Sequence, residues 1–328
     1  MERLRATLLV FLLFATAATA APGPAAAQGR DLSGRNLIGA DFAEADLKEA
    51  RLDGAILTGA NLVGADLTGA SLKGADLREA YLRETRLQDA DLTGANLGGA
   101  DLTRADLRGA RLDGANLTLA VLDSARLEGA SLRGALLPGA RAIKARFAGA
   151  DFENAYLPGA DLSQSDLRGA SFKNADLGAA ALGDPAPRGA RLRGVNLTGA
   201  DLTGANLTSV DLREATLEEA LLAGARLGHA DLTWARAAGA DFSNATLAWV
   251  RGYGADFRKA RFRGAELTSA QFVGADLTGA DLREATLTAT NLNQANLTDV
   301  LLGGAAIERV LARAARNPPA ELDGGQEP

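Results

Sequence analysis

Ala65-Asp66-Leu67-Thr68-Gly69, followed by Ala70-Ser71-Leu72-Lys73-Gly74, is the stretch that decides the fold. A large apolar residue recurs every five positions, a small residue stands two before it, and Asp or Asn most often lies between. The same spacing runs outward in both directions, from Leu32 to Ile307. Of its 56 large slots, 52 hold Leu, Phe or Ile, and Ala fills 46 of the 56 small ones, so one register spans most of the chain. The four exceptions at the large slot are Ala142, Pro187, Ala237 and Gly252.

A period of five excludes an α-helical face. At about 100° per residue, successive Leu would rotate by about 140° and spiral around the helix. One long strand is excluded as well. Ala and the next Leu are two apart and point the same way, but the following Ala lies three further on and would point outward. The chain must therefore turn once per pentad to keep both residues inside. The residues after Leu are often Thr-Gly, Arg-Gly or Lys-Gly, which suits tight turns. Turns repeated every five residues close the chain into coils.

The A-[DN]-L-x-x pattern resembles the pentapeptide-repeat family, over about 276 of the 328 residues. The resemblance implies an all-β fold, a right-handed quadrilateral β-helix with four pentads per coil. It also implies about 14 coils, hence a rod ~65 Å long at the ~4.8 Å spacing of stacked strands. Each coil contacts only its neighbours in such a solenoid, so stability accumulates along it.

The composition fits a repeat and excludes several function classes. There are 35 basic and 41 acidic residues, a net charge of −6, no Cys and one His. Without Cys, a disulfide, a thiolate nucleophile or a Cys zinc site is excluded. His229 alone supports neither a catalytic triad nor a His cluster, and it sits at a variable outward position. No catalytic residue, cofactor or metal site is expected, and the chain is read as a non-enzyme. Stacked acids such as Asp211 and Asp231 are the one place where weak Ca²⁺ binding is conceivable, against a solvated ladder. The five Asn-x-Thr sequences, such as Asn116-Leu117-Thr118, arise from the repeat.

At the N-terminus, Arg3 and Arg5 precede an apolar run from Leu8 to Ala18 and the small residues Ala18-Thr19-Ala20 and Ala25-Ala26-Ala27. This is the pattern of an export signal over 1–27, cleaved after Ala20 or Ala27, and it predicts a periplasmic or secreted protein. No other stretch approaches the ~20 apolar residues of a membrane span. The repeat domain is read as 31–304. At its end, Ile307, Val310, Leu311 and Ala314 fall at i, i+3, i+4 and i+7. That spacing predicts a capping helix over 305–317, or a homodimer contact, ahead of a disordered tail over 318–328.

Breaks in the register are the candidate partner contacts. Asp184-Pro185-Ala186-Pro187-Arg188 puts Pro at both inward slots, which predicts either a kink or a loop, with a whole pentad expelled in the latter case. Between Trp234 and Tyr253 the core slots hold Ala237 and Gly252. Trp234, Trp249 and Tyr253 either fold inward to fill the gap or form an aromatic contact patch. Pro138 to Arg146, around Ala142, is a milder third break.

Outward residues can be read in columns of 20. One runs Asp31, Arg51, Ser71, Asp91, Arg111, Ser131, Asp151, Ser171, and another runs Asp46, Asp66, Arg86, Asp106, Arg126, Arg146, Asp166. Opposite charges are spaced to bridge between neighbours. Some family members resemble duplex DNA and occupy the DNA site of a type II topoisomerase. The resemblance therefore supplies an alternative function, although Arg interrupts the Asp at close intervals in these two columns. Nucleic-acid binding is not expected of an acidic chain without a basic groove. The expected role is an exported scaffold or protein–protein interaction module with an unidentified protein partner.

Overall fold

Five backbone N–H groups per pentad must find acceptors in any buried arrangement, and one pentad shows how all five do. In the computed structural model, Asp66 N–H donates to Ala45 O in the preceding coil, at 2.9 Å. Leu67 and Gly69 donate forward, to Arg86 O (2.7 Å) and Gln88 O (2.9 Å), and Ala70 closes a turn onto Leu67 O (3.0 Å). The fifth donor, Thr68 N–H, is accepted by the Asp66 side chain at 3.2 Å. Asp and Asn recur because they supply an Asx-turn acceptor.

The structure describes residues 29–178 and 190–325. The export signal expected over 1–27 lies outside the described residues, as do Asp184, Pro185, Pro187 and Arg188. Two compact units divide the chain, Met1–Asp151 and Phe152–Pro328.

In the first unit, parallel bridges join each outward residue to the one 20 positions on: Asp31 to Arg51, Asn36 to Ile56, Asp41 to Asn61 and Asp46 to Asp66. Four pentads thus make one coil, and four ladders run through the unit. The second unit repeats the arrangement, with steps such as Tyr156 to Asp176 and Arg191 to Asp211. Both are all-β solenoids whose large and small slots are buried. The residue after each turn's first position has φ near +60° in pentad after pentad, where Gly is the residue without a steric cost. Many pentads nevertheless place a side chain there, Trp234 and Trp249 among them.

Substitutions at the small slot are absorbed individually. Thr85 and Thr290 are fully buried, and their hydroxyls donate to the carbonyls of Leu62 (2.7 Å) and Leu267 (2.8 Å). Ala142 stays buried, and Val121 pairs with Arg141 and Arg126 with Arg146, so the Pro138–Arg146 segment keeps its register on the preceding coil.

Around Ala237 and Gly252 the core is filled by phenylalanines, which corrects the gap-filling expectation for Trp234, Trp249 and Tyr253. Phe257 and Phe272 stand one coil above Ala237 and Gly252. A methyl group on Gly252 would come within 2.7 Å of the Phe272 ring and 3.2 Å of Phe257. Phe242, Phe257, Phe262 and Phe272 form one cluster with centroids 4.9–6.1 Å apart. The missing volume is thereby supplied from inside.

The ladder steps across the Pro-containing segment are 30, not 20: Asp161 meets Arg191, Asp166 meets Asn196, Ser171 meets Asp201 and Asp176 meets Asn206. Ala190 N–H closes onto Leu177 O at 2.8 Å, the bond that elsewhere spans three residues. Ten residues, two pentads rather than one, are therefore passed over by the wall. The Asn206 side chain closes the junction, bonding Asp176 at 2.7 Å over Gly178.

The C-terminal expectation is also corrected, because no α-helix forms over 305–317. The ladder continues instead, pairing Thr286 with Ala306, Asn291 with Leu311 and Asn296 with Arg316. The four residues expected on one helix face are dispersed. Ile307 is in the large slot, Val310 is buried in the small slot, Leu311 is outward and 44% exposed, and Ala314 is an exposed turn residue with φ 54°. A 13-residue helix is marginal alone, whereas another coil gains bonds to the one already formed. The dimer contact read from that helix loses its basis. Within the segment expected to be a disordered tail, Ala320–Gly325 forms a 3-10 helix that buries Leu322.

Candidate functional site

Two surface features stand out: ladders of paired charges and one aromatic strip. The ladders follow from the Asx turns. An Asp that accepts a turn N–H has a second oxygen to spare, and Arg two residues on can take it. Arg78 donates to both oxygens of Asp76, at 2.8 and 2.6 Å. Arg108 to Asp106, Arg168 to Asp166, Arg213 to Asp211, Arg258 to Asp256 and Arg283 to Asp281 repeat the fork. Between coils, Arg51 reaches Asp31 (3.3 Å), Arg86 reaches Asp66 (3.1 Å) and Arg126 reaches Asp106 (3.6 Å), as the columns predicted.

In three pentads whose first outward residue is Ser or Arg, an acid one coil earlier takes over. The N–H groups of Lys73, Arg133 and Ile143 donate to Asp53, Asp113 and Asp123, at 3.1–3.2 Å. Asn-x-Thr has the same origin: Asn116 accepts both the Thr118 N–H and its hydroxyl.

Electrostatics follow this pairing. The guanidiniums beside Asp76, Asp256 and Asp281 hold those carboxyls below the usual range, against partial burial. For Asp106 and Asp211 burial is the larger influence and pushes upward. Bonds from Arg108 and Arg213 and from their N–H groups outweigh it. Asp211 and Asp231 do stack as ladder neighbours, but Arg213 forks onto the first and Arg251 reaches the second at 3.1 Å. Each of the two carboxylates is thus paired with a guanidinium. Among the described residues there is no cluster of three or more potential metal ligands, and no helix is long and apolar enough to cross a membrane.

The aromatic strip lies in the second unit. Trp234, Trp249 and Tyr253 are 64%, 57% and 39% exposed. His229, outward as expected, lies parallel to Trp249 with ring centroids 6.3 Å apart. The Trp234 indole lies across Gly254 one coil on, where any side chain would collide with it. His229, Trp234 and Trp249 stand at turn corners because their sequence positions are those that Gly holds in other pentads, whereas Tyr253 is the first turn residue of its pentad and Gly254 follows it. That positional signal was available in the sequence.

A family model for pentapeptide repeats matches eight copies within residues 31–139, 145–182, 188–251 and 253–304. The chain is a pentapeptide-repeat protein. The gaps between matches fall at Ala142, at the passed-over segment and at Gly252, the three breaks read from the register. Solved structures similar to this pentapeptide-repeat chain include a protein of the Arabidopsis thaliana thylakoid lumen, 34% identical over 33% of this chain and 76% of its own, with a TM-score of 0.26. HetL, involved in heterocyst differentiation regulation in the cyanobacterium Nostoc, is 28% identical over 83% of this chain and 90% of its own, with a TM-score of 0.18. QnrB1, a plasmid-mediated fluoroquinolone resistance protein, is 22% identical over 58% of this chain and 94% of its own, with a TM-score of 0.29. No curated protein sequence matches.

Proposed function

We propose that this pentapeptide-repeat protein is an exported, non-enzymatic scaffold, a right-handed four-sided solenoid that presents a stiff surface to a protein partner in the periplasm or outside the cell. The observation that carries this reading is the regular hydrogen bonding of each coil to the next within both units. Backbone donors are bonded to neighbouring coils, carboxylates to turns and guanidiniums, and the interior is filled with Leu, Phe and Ala. Such a wall holds its outward side chains at fixed ~4.8 Å intervals, which favours display over chemistry. The charged region of the N-terminus and its apolar run support export.

A DNA mimic needs a continuous stripe of carboxylates open to a partner. Here Arg forks or bridges onto the acids of every column described above, which favours the scaffold over a topoisomerase regulator.

Cell fractionation with N-terminal sequencing tests the export half. A periplasmic or secreted product starting near Ala21 or Gln28 is expected, and an intact cytoplasmic chain would sink it. Photo-crosslinkers at exposed turn positions test the display half; failure to trap any envelope protein would count against it. A gyrase supercoiling assay is expected to show no effect.

A further inference from the structure

We infer that the strip of Trp249, Arg251 and Tyr253, flanked by Trp234 and His229, binds a neutral glycan chain of equatorially hydroxylated sugars, such as a β-1,4-linked hexopyranose. Trp249, Arg251 and Tyr253 alternate with the buried Val250 and Gly252, so all three point outward along one edge of a single coil. Three residues lie between Trp249 and Tyr253, a backbone span of at most about 14 Å. The Trp234 indole, one coil earlier, is laid across Gly254, and Trp234 N–H donates to Tyr253 O at 2.9 Å.

Three observations select the ligand. First, the rings are held in place and open. Trp249 is parallel to His229 within 6°, and Trp234 is seated on a glycine, yet both indoles stay more than half exposed. Both Trp residues have φ of 60°, a conformation that strains an L-residue and costs a glycine little. Their exposure is thus maintained against the backbone's preference.

Second, the strip is locally neutral. Arg251 is bridged to Asp231 at 3.1 Å, and Asp211 below is forked by Arg213. A polyanion would meet the carboxylates and a polycation the guanidiniums. Third, the ladder through Arg251 continues with Gln271 and Asn291, so planar hydrogen-bonding groups lie between and beside the rings. Trp, Tyr and Arg are enriched at protein interfaces as well, and a protein occupant is the competing outcome that the test below separates. A flat pyranose instead offers axial C–H groups to ring faces and a rim of hydroxyls to amides, carboxylates and guanidiniums.

The test uses the full chain, whose only two tryptophans are Trp234 and Trp249, so tryptophan emission reports on the strip alone. Cellohexaose and chitohexaose are titrated, with hexagalacturonate and a thymidine hexanucleotide as charged comparisons. A saturable emission shift with a neutral hexasaccharide is expected. Trp234→Gly and Trp249→Gly, which install the residue favoured at positive φ, should each weaken binding about tenfold with an unchanged circular-dichroism spectrum.

Absence of a shift with either neutral glycan would overturn the inference. So would tighter binding of a charged polymer, or calorimetric binding that survives in the double Trp→Gly variant. A protein cross-linked through position 253 that cellohexaose cannot displace would reassign the strip to a protein partner.

Discussion

Leu47 to Leu132 in the first unit and Leu232 to Phe272 in the second build the same coil with different fillings. The first stretch uses one Leu per large slot, each essentially inaccessible. The second pairs Ala237 and Gly252 with four clustered phenylalanines, and its core is equally closed. The repeat therefore constrains the volume per stack of coils, while individual slots exchange volume with neighbours one coil away. The outer surfaces differ in the same sense. The regular stretch spends most of its corners on Gly and charge, with Leu119 its exposed apolar exception, whereas the compensated stretch exposes indoles.

The largest effect that would break this comparison is removal of a compensating ring. Phe272→Ala should cost about 3–5 kcal/mol in chemical denaturation, against about 2–5 for Leu67→Ala. If Phe272→Ala proves neutral, the aromatic cluster is not replacing the volume missing at Gly252. Filling the slot directly is next in size: Gly252→Leu should destabilise by about 1–3 kcal/mol through overpacking. The paired change Gly252→Leu with Phe272→Leu should recover most of that loss.

Thr85→Ala, which restores the common residue in the regular stretch, should cost only about 1 kcal/mol. The Leu62 carbonyl keeps its bond from Ala65 when the hydroxyl goes. Trp234→Gly should change stability least, by no more than about 1 kcal/mol, because relief at positive φ offsets the lost packing and the added chain entropy.

Acid should affect both stretches alike. Asp106 in the first, and Asp256 in the second, have carboxyls lowered on folding. Their contribution is present above the unfolded carboxylate value of about 3.9 and is lost as pH falls through the folded one. Melting temperature should therefore be flat near neutrality and drop below about pH 4. A loss centred near pH 6 would point to another group.

Much of this was legible in the residues. Leu every fifth position with Ala two before it defines what is inside, and columns of 20 anticipated Arg86 on Asp66. The rest was hidden for identifiable reasons. Ile307, Val310, Leu311 and Ala314 imitate a helix face because four different pentad positions happen to fall at that spacing. Helical periodicity cannot register the advantage of adding to an existing ladder. The inward alternative for the tryptophans considered missing volume at Gly252 without weighing that Phe257 and Phe272 lie one coil above. The number of pentads passed over near Pro185 leaves no trace, because one or two both preserve the five-residue count.

That indifference to count has a consequence for how such a surface changes. Passing over ten residues leaves the large slots on either side, such as Leu177 and Leu192, inside, yet Asp161 faces Arg191 where it would otherwise face Ala181, and each downstream residue joins a ladder two places on. Insertions in multiples of five thus act as a phase shift on the exterior pattern with the interior unchanged. Side chains already present can be brought into new neighbourhoods without a single substitution.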